Sequence, residues 1–297
     1  MKPDISVIII TNNRKDDLGH CIDALLSQSY PSKKFEIIII DSWSTDGTEE
    51  MVKKYGMAIK FIISSQKGYS ACRNLGFRKS RAEIVAFTDS DCIPAKNWVK
   101  TIIEDFKHSG KEIVAIGGPT KVSAGKCLIA RVSQQIVNDS VSGLRKGSSA
   151  FFMTTTNLAL RKNIVRIIGP FDRRYDFETG EDTEFCWRIV KSGLKLRYNS
   201  SIVVDHSQRS SIRGFLKQHY NYGRGIYLVK KKHPDFMQGL KTQNRFKRYF
   251  EEAFIFPVVF TKHFKKTEKP AAFLLAFSRQ LAFFAGIASA KIKYSSK

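Results

Sequence analysis

Acidic residues are scarce in this chain: 27 Asp and Glu stand against 50 Lys and Arg, for a net charge of +23 over 297 residues. A field of that sign draws polyanions, whether nucleic acid, anionic lipid or phosphorylated substrates. The imbalance is uneven, because residues 207–297 hold 19 basic residues against 4 acidic ones. Cysteine is sparse as well. Cys21, Cys72, Cys92, Cys127 and Cys186 are scattered, odd in number and never in CxxC spacing. Neither a zinc site nor a disulfide framework is expected, and free thiols in a reducing cytosol fit better. No internal repeat and no low-complexity tract occurs, and Ser, Pro and Gly dominate no long stretch. Wholesale disorder is therefore not expected. The opening apolar run, residues 5–10, is too short for a signal peptide and ends in polar Thr11-Asn12-Asn13-Arg14.

What is present is an ordinary hydrophobic content of 42%, enough for a substantial core. The first hundred residues alternate strand and helix. Residues 5–10 and 35–40 read as short, β-branched buried strands, followed by strands at 59–63 and 83–88. Helical spacing marks 18–26 and 69–79, and Thr45-Asp46-Gly47-Thr48 opens a helix to about Tyr55 with Gly56 as its C-cap. This order predicts an α/β fold with a mostly parallel central sheet flanked by helices on both faces. Further on, strands are expected at 113–118, 151–160 and 202–204, and a helix at 181–191 closed near Gly193. A basic helix is expected from Ile212 to about Lys232, then apolar segments at 253–260 and 271–290.

Ligands of such sheets bind beyond the carboxyl ends of the strands. Those ends carry Thr11, Asn13 and Arg14, then Asp41-Ser42, then Asp89-Ser90-Asp91. Two carboxylates one residue apart at a strand end can share a divalent cation and a ribose hydroxyl, and hard oxygen ligands suit Mg²⁺ or Mn²⁺. A solvated turn is the plain alternative. Gly180-Glu181-Asp182 is either a helix N-terminal cap or the seat of a general base, Asp182. His206, after a short strand, either serves structure or completes a metal shell with Asp91.

Taken in order, these segments resemble the family 2 glycosyltransferases of the GT-A fold. The matching stretches are Ser6-Val-Ile-Ile-Ile-Thr-Asn-Asn-Arg14, Gln28-Ser-Tyr-Pro31, Ile40-Asp-Ser-Trp-Ser-Thr-Asp-Gly-Thr48 and Ala71-Cys-Arg-Asn-Leu-Gly76. They continue with Phe87-Thr-Asp-Ser-Asp-Cys-Ile-Pro94, Thr156-Asn-Leu-Ala-Leu-Arg161, Gly169-Pro-Phe-Asp172, Gly180-Glu-Asp-Thr-Glu-Phe-Cys-Trp-Arg188 and His206. Each is weak alone and their ordered sum is specific. The resemblance implies a nucleotide-sugar donor, a Mg²⁺ or Mn²⁺ ion and inversion of the sugar in one displacement. It implies that Asp41 faces the nucleoside, that Arg73 lies near the nucleotide and that Asp89 contacts ribose or sugar. Thr11, Asn13, Arg14 and Ser90 join this donor group. Asp91 and His206 would hold the metal and Asp182 would deprotonate the acceptor, with Glu181, Trp187 and Arg188 as acceptor-side candidates. One departure stands out. Many relatives carry a second acidic residue where this chain has Ser42, followed by Trp43. Trp43 either stacks on a base or packs in its loop.

The expected organisation is a catalytic domain over 1–230, divided near 112 into nucleotide and acceptor halves, and a basic, apolar helical tail over 231–297. The segment 271–290 has about the ~20 residues a span needs, but it carries Arg279 and Gln280 at its centre. An arginine there costs ~2.5–3.5 kcal/mol on insertion scales. The tail is therefore expected to lie at the cytoplasmic face of the cell membrane, peripheral or shallowly inserted, its lysines against anionic lipid, with a buried helical hairpin and a re-entrant insertion as the alternatives. The expected partners are a nucleotide-sugar donor and a glycan or lipid-linked acceptor, in cell-envelope or glycoconjugate synthesis, and no nucleic acid. A non-catalytic membrane relative and a basic nucleic-acid binder are the competing readings. The joint presence of Asp89, Asp91, Asp182 and His206 opposes the first, and the lack of a recognised motif opposes the second.

Overall fold

The computed structural model describes residues 2–122, 127–142, 152–175, 179–207, 210–236 and 261–295. The apolar segment 253–260 and Phe151 lie outside them. The chain divides into two compact units. One comprises Met1–Ser123, Asn138–Phe177 and Glu181–Ser207; the other comprises Ala124–Val137, Glu178–Gly180 and Gln208–Lys297.

The first unit opens with the expected alternation: β1 (Ile5–Thr11), α1 (Lys15–Leu26), β2 (Phe35–Asp41), α2 (Thr48–Lys53), β3 (Ile59–Ile63), α3 (Tyr69–Lys79) and β4 (Ile84–Asp89). It continues with β5 (Cys92–Pro94), α4 (Trp98–His108), β6 (Ile113–Gly117), β7 (Thr120–Lys121), and, after α5 (Leu128–Ser142), β8 (Asn157–Arg161). The last elements are α6 (Ile164–Ile168), α7 (Glu181–Lys191), β9 (Lys195–Tyr198) and β10 (Val204–His206). Seven strands form one sheet in the order β3-β2-β1-β4-β8-β6-β9. It is parallel except for β8, which runs against both β4 and β6. A second, three-stranded sheet has the order β5-β10-β7.

Apart from Ser6 and Glu36, β1 and β2 are hydrophobic up to their polar last residues because both faces of the sheet are covered. On one face Ile5, Val7 and Ile9 pack with Leu18 and Ile22 of α1 and with Trp98, Ile102 and Phe106 of α4. On the other, Ile8, Ile38 and Ile40 pack with Phe77 of α3 and with Phe185 and Ile189 of α7. Full burial of each such side chain contributes about 1.5–3 kcal/mol. α3 approaches β1 so closely that a Cβ on Gly76 would lie 2.5 Å from Ile8 Cγ2.

Two expected strands are displaced, and the cause is visible in each. Residues 152–156 leave the ladder before β8, since the backbone N–H of Thr155 and the hydroxyl of Thr156 turn onto carboxylates described below. The strand expected at 202–204 begins at Val204, because the Ile202 carbonyl accepts instead from Asn157 Nδ2 at 2.8 Å. Asn157, 2% exposed, also donates to the Pro119 carbonyl (3.1 Å) and accepts from Trp98 Nε1 (2.9 Å).

The second unit holds most of α5, then α8 (Ile212–Lys232) and α9 (Lys269–Ser295). α8 and α9 touch backbone to backbone. A Cβ on Gly223 would fall 1.9 Å from the Phe283 carbonyl oxygen, and one on Gly286 would fall 2.0 Å from that of Tyr220. Gln280 is 4% exposed, and Arg279 donates to its side-chain oxygen at 2.6 Å while stacking on Phe283. The polar centre of α9 thus faces the helical unit. Leu274, Leu281 and Ile292 stay exposed along its outer side.

Asn157 is the polar knot of the first unit. Replacing it by Ala strands the Trp98 indole N–H and two buried carbonyls, each costing about 1–3 kcal/mol. Urea unfolding of Asn157→Ala should show a loss of about 3 kcal/mol or more; a loss below about 1 kcal/mol would mean that water replaces the amide.

Candidate active site

The parallel strands bring their carboxyl ends into step. Ile10 pairs with Asp89 and Thr11 with Asp41, so the polar residues after β1, β2 and β4 share one edge. β8 runs the other way, so its leading end reaches the same edge, and there the Thr156 hydroxyl donates to Asp89 Oδ2 at 2.9 Å.

The small sheet explains how His206 arrives. β10 pairs antiparallel with β5, placing His206 opposite Cys92 and beside Asp91. Its Nε2 lies 3.4 Å from Asp91 Oδ1, and Arg14 comes within 3.7 Å of Asp91 Oδ2. One ligand atom from each of Asp89, Asp91, Cys92 and His206 lies within 4.8 Å of all the others. Two carboxylates and an imidazole are a borderline-to-hard donor set of the kind Mn²⁺ or Mg²⁺ accepts, with the nitrogen favouring Mn²⁺. The Cys92 thiol is pushed well up by burial and by the charges of Asp89 and Asp91, so it stays protonated and is a poor partner for a hard ion. Burial likewise raises Asp89, and Asp91 adds to the effect. Burial works the same way on Asp91, but the bond and charge of His206, together with Arg14, outweigh it and hold Asp91 low. His206 in turn would be lowered by burial, yet Asp91 and Asp89 raise it.

Asp182 opens α7. Its carboxylate accepts from its neighbour Thr183 N–H at 2.7 Å and from the backbone of Thr155. Burial, then the charge of Glu181, push its pKa up to about 7 against the pull of Arg73. Thr155 and Thr156, consecutive in sequence, therefore link Asp182 to Asp89. Arg73, 5% exposed, donates to Glu181 Oε1 at 2.5 Å, and its charge is felt by both Asp89 and Asp182.

The remaining expected residues fall into two groups. Asp41 is 3% exposed and accepts from Ser44 N (3.0 Å) and Ser44 Oγ (2.5 Å), while Asn13, in left-handed backbone (φ 51), accepts from Thr45 N at 2.8 Å. These contacts fix the loops after β1 and β2 to each other. Ser90 is buried, and so is Thr11, whose hydroxyl has no partner among the described residues. The acceptor-side candidates turn inward. Glu181 is committed to Arg73, and Trp187 is 7% exposed. Arg188 is bound to Glu184 and to the carbonyls of Ile168, Gly169 and Pro170. Thr155, Thr156 and Cys92 were not anticipated. A run of three threonines just ahead of a strand and a cysteine adjoining Asp91 were their only signals.

Asp182 carries a cost that can be measured. Its folded carboxyl keeps a proton up to about pH 7, whereas an unfolded one releases it near ~4. Between those values the folded state binds the extra proton, so stability falls as pH rises through the window and the penalty is complete above it. Asp182→Asn lacks the penalty. It should melt higher than the wild type at pH 8, with the difference vanishing near pH 4; an equal or lower melting temperature at pH 8 would contradict the assigned environment.

The model of the family described as Glycosyl transferase family 2 matches residues 6–169. Glycosyltransferase AglE of Haloferax volcanii is 27% identical over 75% of this chain and 73% of its own. A dolichyl N-acetyl-alpha-D-glucosaminyl phosphate 3-beta-D-2,3-diacetamido-2,3-dideoxy-beta-D-glucuronosyltransferase of Methanococcus voltae is 30% identical over 77% of this chain and 74% of its own. Among solved structures, a mannosyltransferase from Pyrobaculum calidifontis in complex with GDP-Man and Mn²⁺ superposes with a TM-score of 0.67 at 16% identity, covering 100% of this chain and 89% of that one. Residues 1–349 of S. aureus TarS in complex with UDP give 0.55 at 17% identity, covering 99% and 91%.

Proposed function

The chain belongs to glycosyl transferase family 2, and from that premise we propose that it transfers a sugar, with inversion, from a nucleoside-diphosphate sugar to a hydroxyl of a lipid-linked glycan at a membrane surface. One observation carries the reading. Asp182 and the Asp89–Asp91–His206 cluster lie at one sheet edge, joined through Thr155 and Thr156.

In this reading Asp91, His206 and Asp89 hold a divalent ion, preferably Mn²⁺. When bound, the ion neutralises charge on the diphosphate leaving group. Asp89 also contacts the ribose or sugar, and Arg14, beside Asp91, adds positive charge at the diphosphate. Asp41, braced by Ser44, faces the nucleoside. Asp182 is the general base. An acceptor hydroxyl is a poor nucleophile at neutral pH, and a carboxylate with a pKa near the working pH combines a useful ionised fraction with real proton affinity. Arg73 positions the base: by binding Glu181 it fixes the start of α7 and leaves Asp182, the next residue, to the substrate. Support for the donor class comes from the solved relatives bound to GDP-Man and to UDP, and for a lipid-linked acceptor from the name of the Methanococcus voltae relative.

The membrane enters through α9. Among the described residues it is the one helix long and apolar enough to cross a bilayer, with a mean hydropathy of 1.6 in its most apolar window and 22% of that window buried. Lys262, Lys265, Lys266 and Lys269 precede or open it, and Lys291 and Lys293 close it. With Arg279 and Gln280 turned inward, an apolar outer face bounded by lysines suits a helix lying in the interface of an anionic membrane on its cytoplasmic face.

A panel of nucleotide sugars assayed with Mn²⁺ and with EDTA identifies the donor and the metal dependence together. With that donor, Asp182→Asn should lose transfer by about 10²–10⁴-fold while donor binding holds. Wild-type transfer should climb with pH to a plateau above about 7, as the base ionises. Near-normal turnover of the variant would move the base to another group. For the tail, Leu274→Glu with Leu281→Glu should abolish co-sedimentation with vesicles containing anionic phospholipid and leave the hydrolysis of free donor intact. Undiminished sedimentation would exclude α9 as the contact.

A further inference from the structure

Trp43 holds a conformation that burial does not explain. It lies in the left-handed region, with φ 67, in the loop after β2. Asn13 shares that region, but Asn tolerates it, whereas a bulky side chain pays a steric penalty. Strain of this kind is ordinarily kept where a site requires it. Nor does burial compensate. The chain's other tryptophans, Trp98 and Trp187, are 0% and 7% exposed, while Trp43 is 51% exposed.

The ring is nonetheless held in place. Its Nε1–H donates to the Ser64 carbonyl at 2.6 Å, and the Lys67 ammonium lies over it, 5.1 Å from the centroid. The backbone that carries it is fixed on both sides: Asn12 Nδ2 donates to the Ser42 carbonyl, and Ser44 N–H donates to Asp41. An exposed, oriented aromatic surface on a strained backbone is the preparation a stacking platform needs.

Its place in the sheet says what stacks there. β4, β1, β2 and β3 are neighbours in that order, and their ends are in register: Asp89 with Ile10, Thr11 with Asp41, Asp41 with Ile63. Strands lie about 4.8 Å apart, so the end of β3, where Ser64 holds the indole, is roughly 14 Å along this edge from Asp89. A diphosphate at Asp89–Asp91 whose nucleoside extends over Asp41 brings its base to the loops after β2 and β3. We infer that Trp43 is the stacking platform for the nucleobase of the donor, a binding element for the flat heterocycle of any nucleoside diphosphate. The inference rests on the donor site proposed above.

The test titrates Mn²⁺-loaded wild type, Trp43→Gly, Trp43→Asn and Trp43→Phe with GDP, UDP and inorganic pyrophosphate. Gly and Asn both accept the left-handed backbone, so these variants should fold and melt at or above the wild-type temperature. The affinity of the preferred nucleoside diphosphate should fall about 5- to 150-fold in both. Trp43→Phe should keep most of it, and pyrophosphate should bind all four proteins equally. In the wild type, the nucleotide should shield the exposed tryptophan from acrylamide quenching, and pyrophosphate should not. A Trp43→Gly protein that melts lower yet binds nucleotide as the wild type does marks a packing residue and overturns the inference, leaving the donor site standing. If no protein binds either nucleotide or pyrophosphate, the donor site falls and the platform with it.

Discussion

A single buried guanidinium organises the charged edge of this protein. Arg73 leaves α3 beneath the sheet's carboxyl end and meets Glu181, and its field reaches Asp89 and Asp182. Burial and the charge of Asp91 push Asp89 up, burial and the charge of Glu181 push Asp182 up, and the guanidinium opposes both. A buried pair of this sort adds little net stability, since desolvation offsets the attraction. Its contribution is placement. Committing Glu181 to Arg73 fixes the first turn of α7, and that turn determines where Asp182 sits. The two adjacent acidic residues of the Gly-Glu-Asp motif thus have different partners, Glu181 the buried guanidinium and Asp182 the backbone of Thr183 and Thr155.

The N-terminal half was legible because its signals are local. Residues 5–10 and 35–40 are apolar, isoleucine-rich runs interrupted only by Ser6 and Glu36 and closed by polar Thr11 and Asp41, and the segment between them has helical spacing. The strand ends also pointed to the carboxylate cluster, since Asp89 and Asp91 need only the end of β4 to be located. Contacts set by distant partners were not legible. Thr155 and Thr156 sit in a β-prone stretch, and nothing near them indicates carboxylates 27 and 67 residues away. Strands β5, β7 and β10, two or three residues each, are too short to carry a period and exist only as partners of one another. α4, with Trp98, Val99, Ile102, Ile103 and Phe106 at helical spacing, carried a strong local signal that was not among the elements traced. Arg188 has contacts that its motif did not indicate. An arginine in a motif invites a substrate, but here its fork closes the α6 carbonyls and the Glu184 carboxylate.

In the helical unit the same distinction holds between composition and placement. Arg279 and Gln280 interrupt an otherwise apolar stretch and, by composition alone, weigh against contact with lipid. Their direction reverses that weight. Both turn toward the unit's own interior, where Gln280 is nearly sealed, and the close approach at Gly223 and Gly286 brings α8 near enough to cover them. An apolar outer face and a polar inner seam then coexist on one helix.

The reversed strand β8 has a bearing on how the protein assembles. Its partners β4 and β6 are drawn from residues 84–89 and 113–117, while β8 itself comes from 157–161, so a long loop must close before either ladder forms. The ladders of β2 with β1 and with β3 need shorter closures, of about 30 and 22 residues, whereas β1 and β4 are about 79 residues apart and close a loop as long as that of β8. β8 follows β1, β2, β3 and β4 in the chain, and only where it pairs with β4 do Thr155 and Thr156 reach Asp182 and Asp89. Its register is unforgiving, because a slip of one residue would turn Asn157 out of the core and swing the threonines away. The polar strand ends of β1, β2 and β4 leave the ribosome before the threonines that join Asp89 to Asp182, so the correct pairing of one five-residue strand brings together what the earlier strands only align.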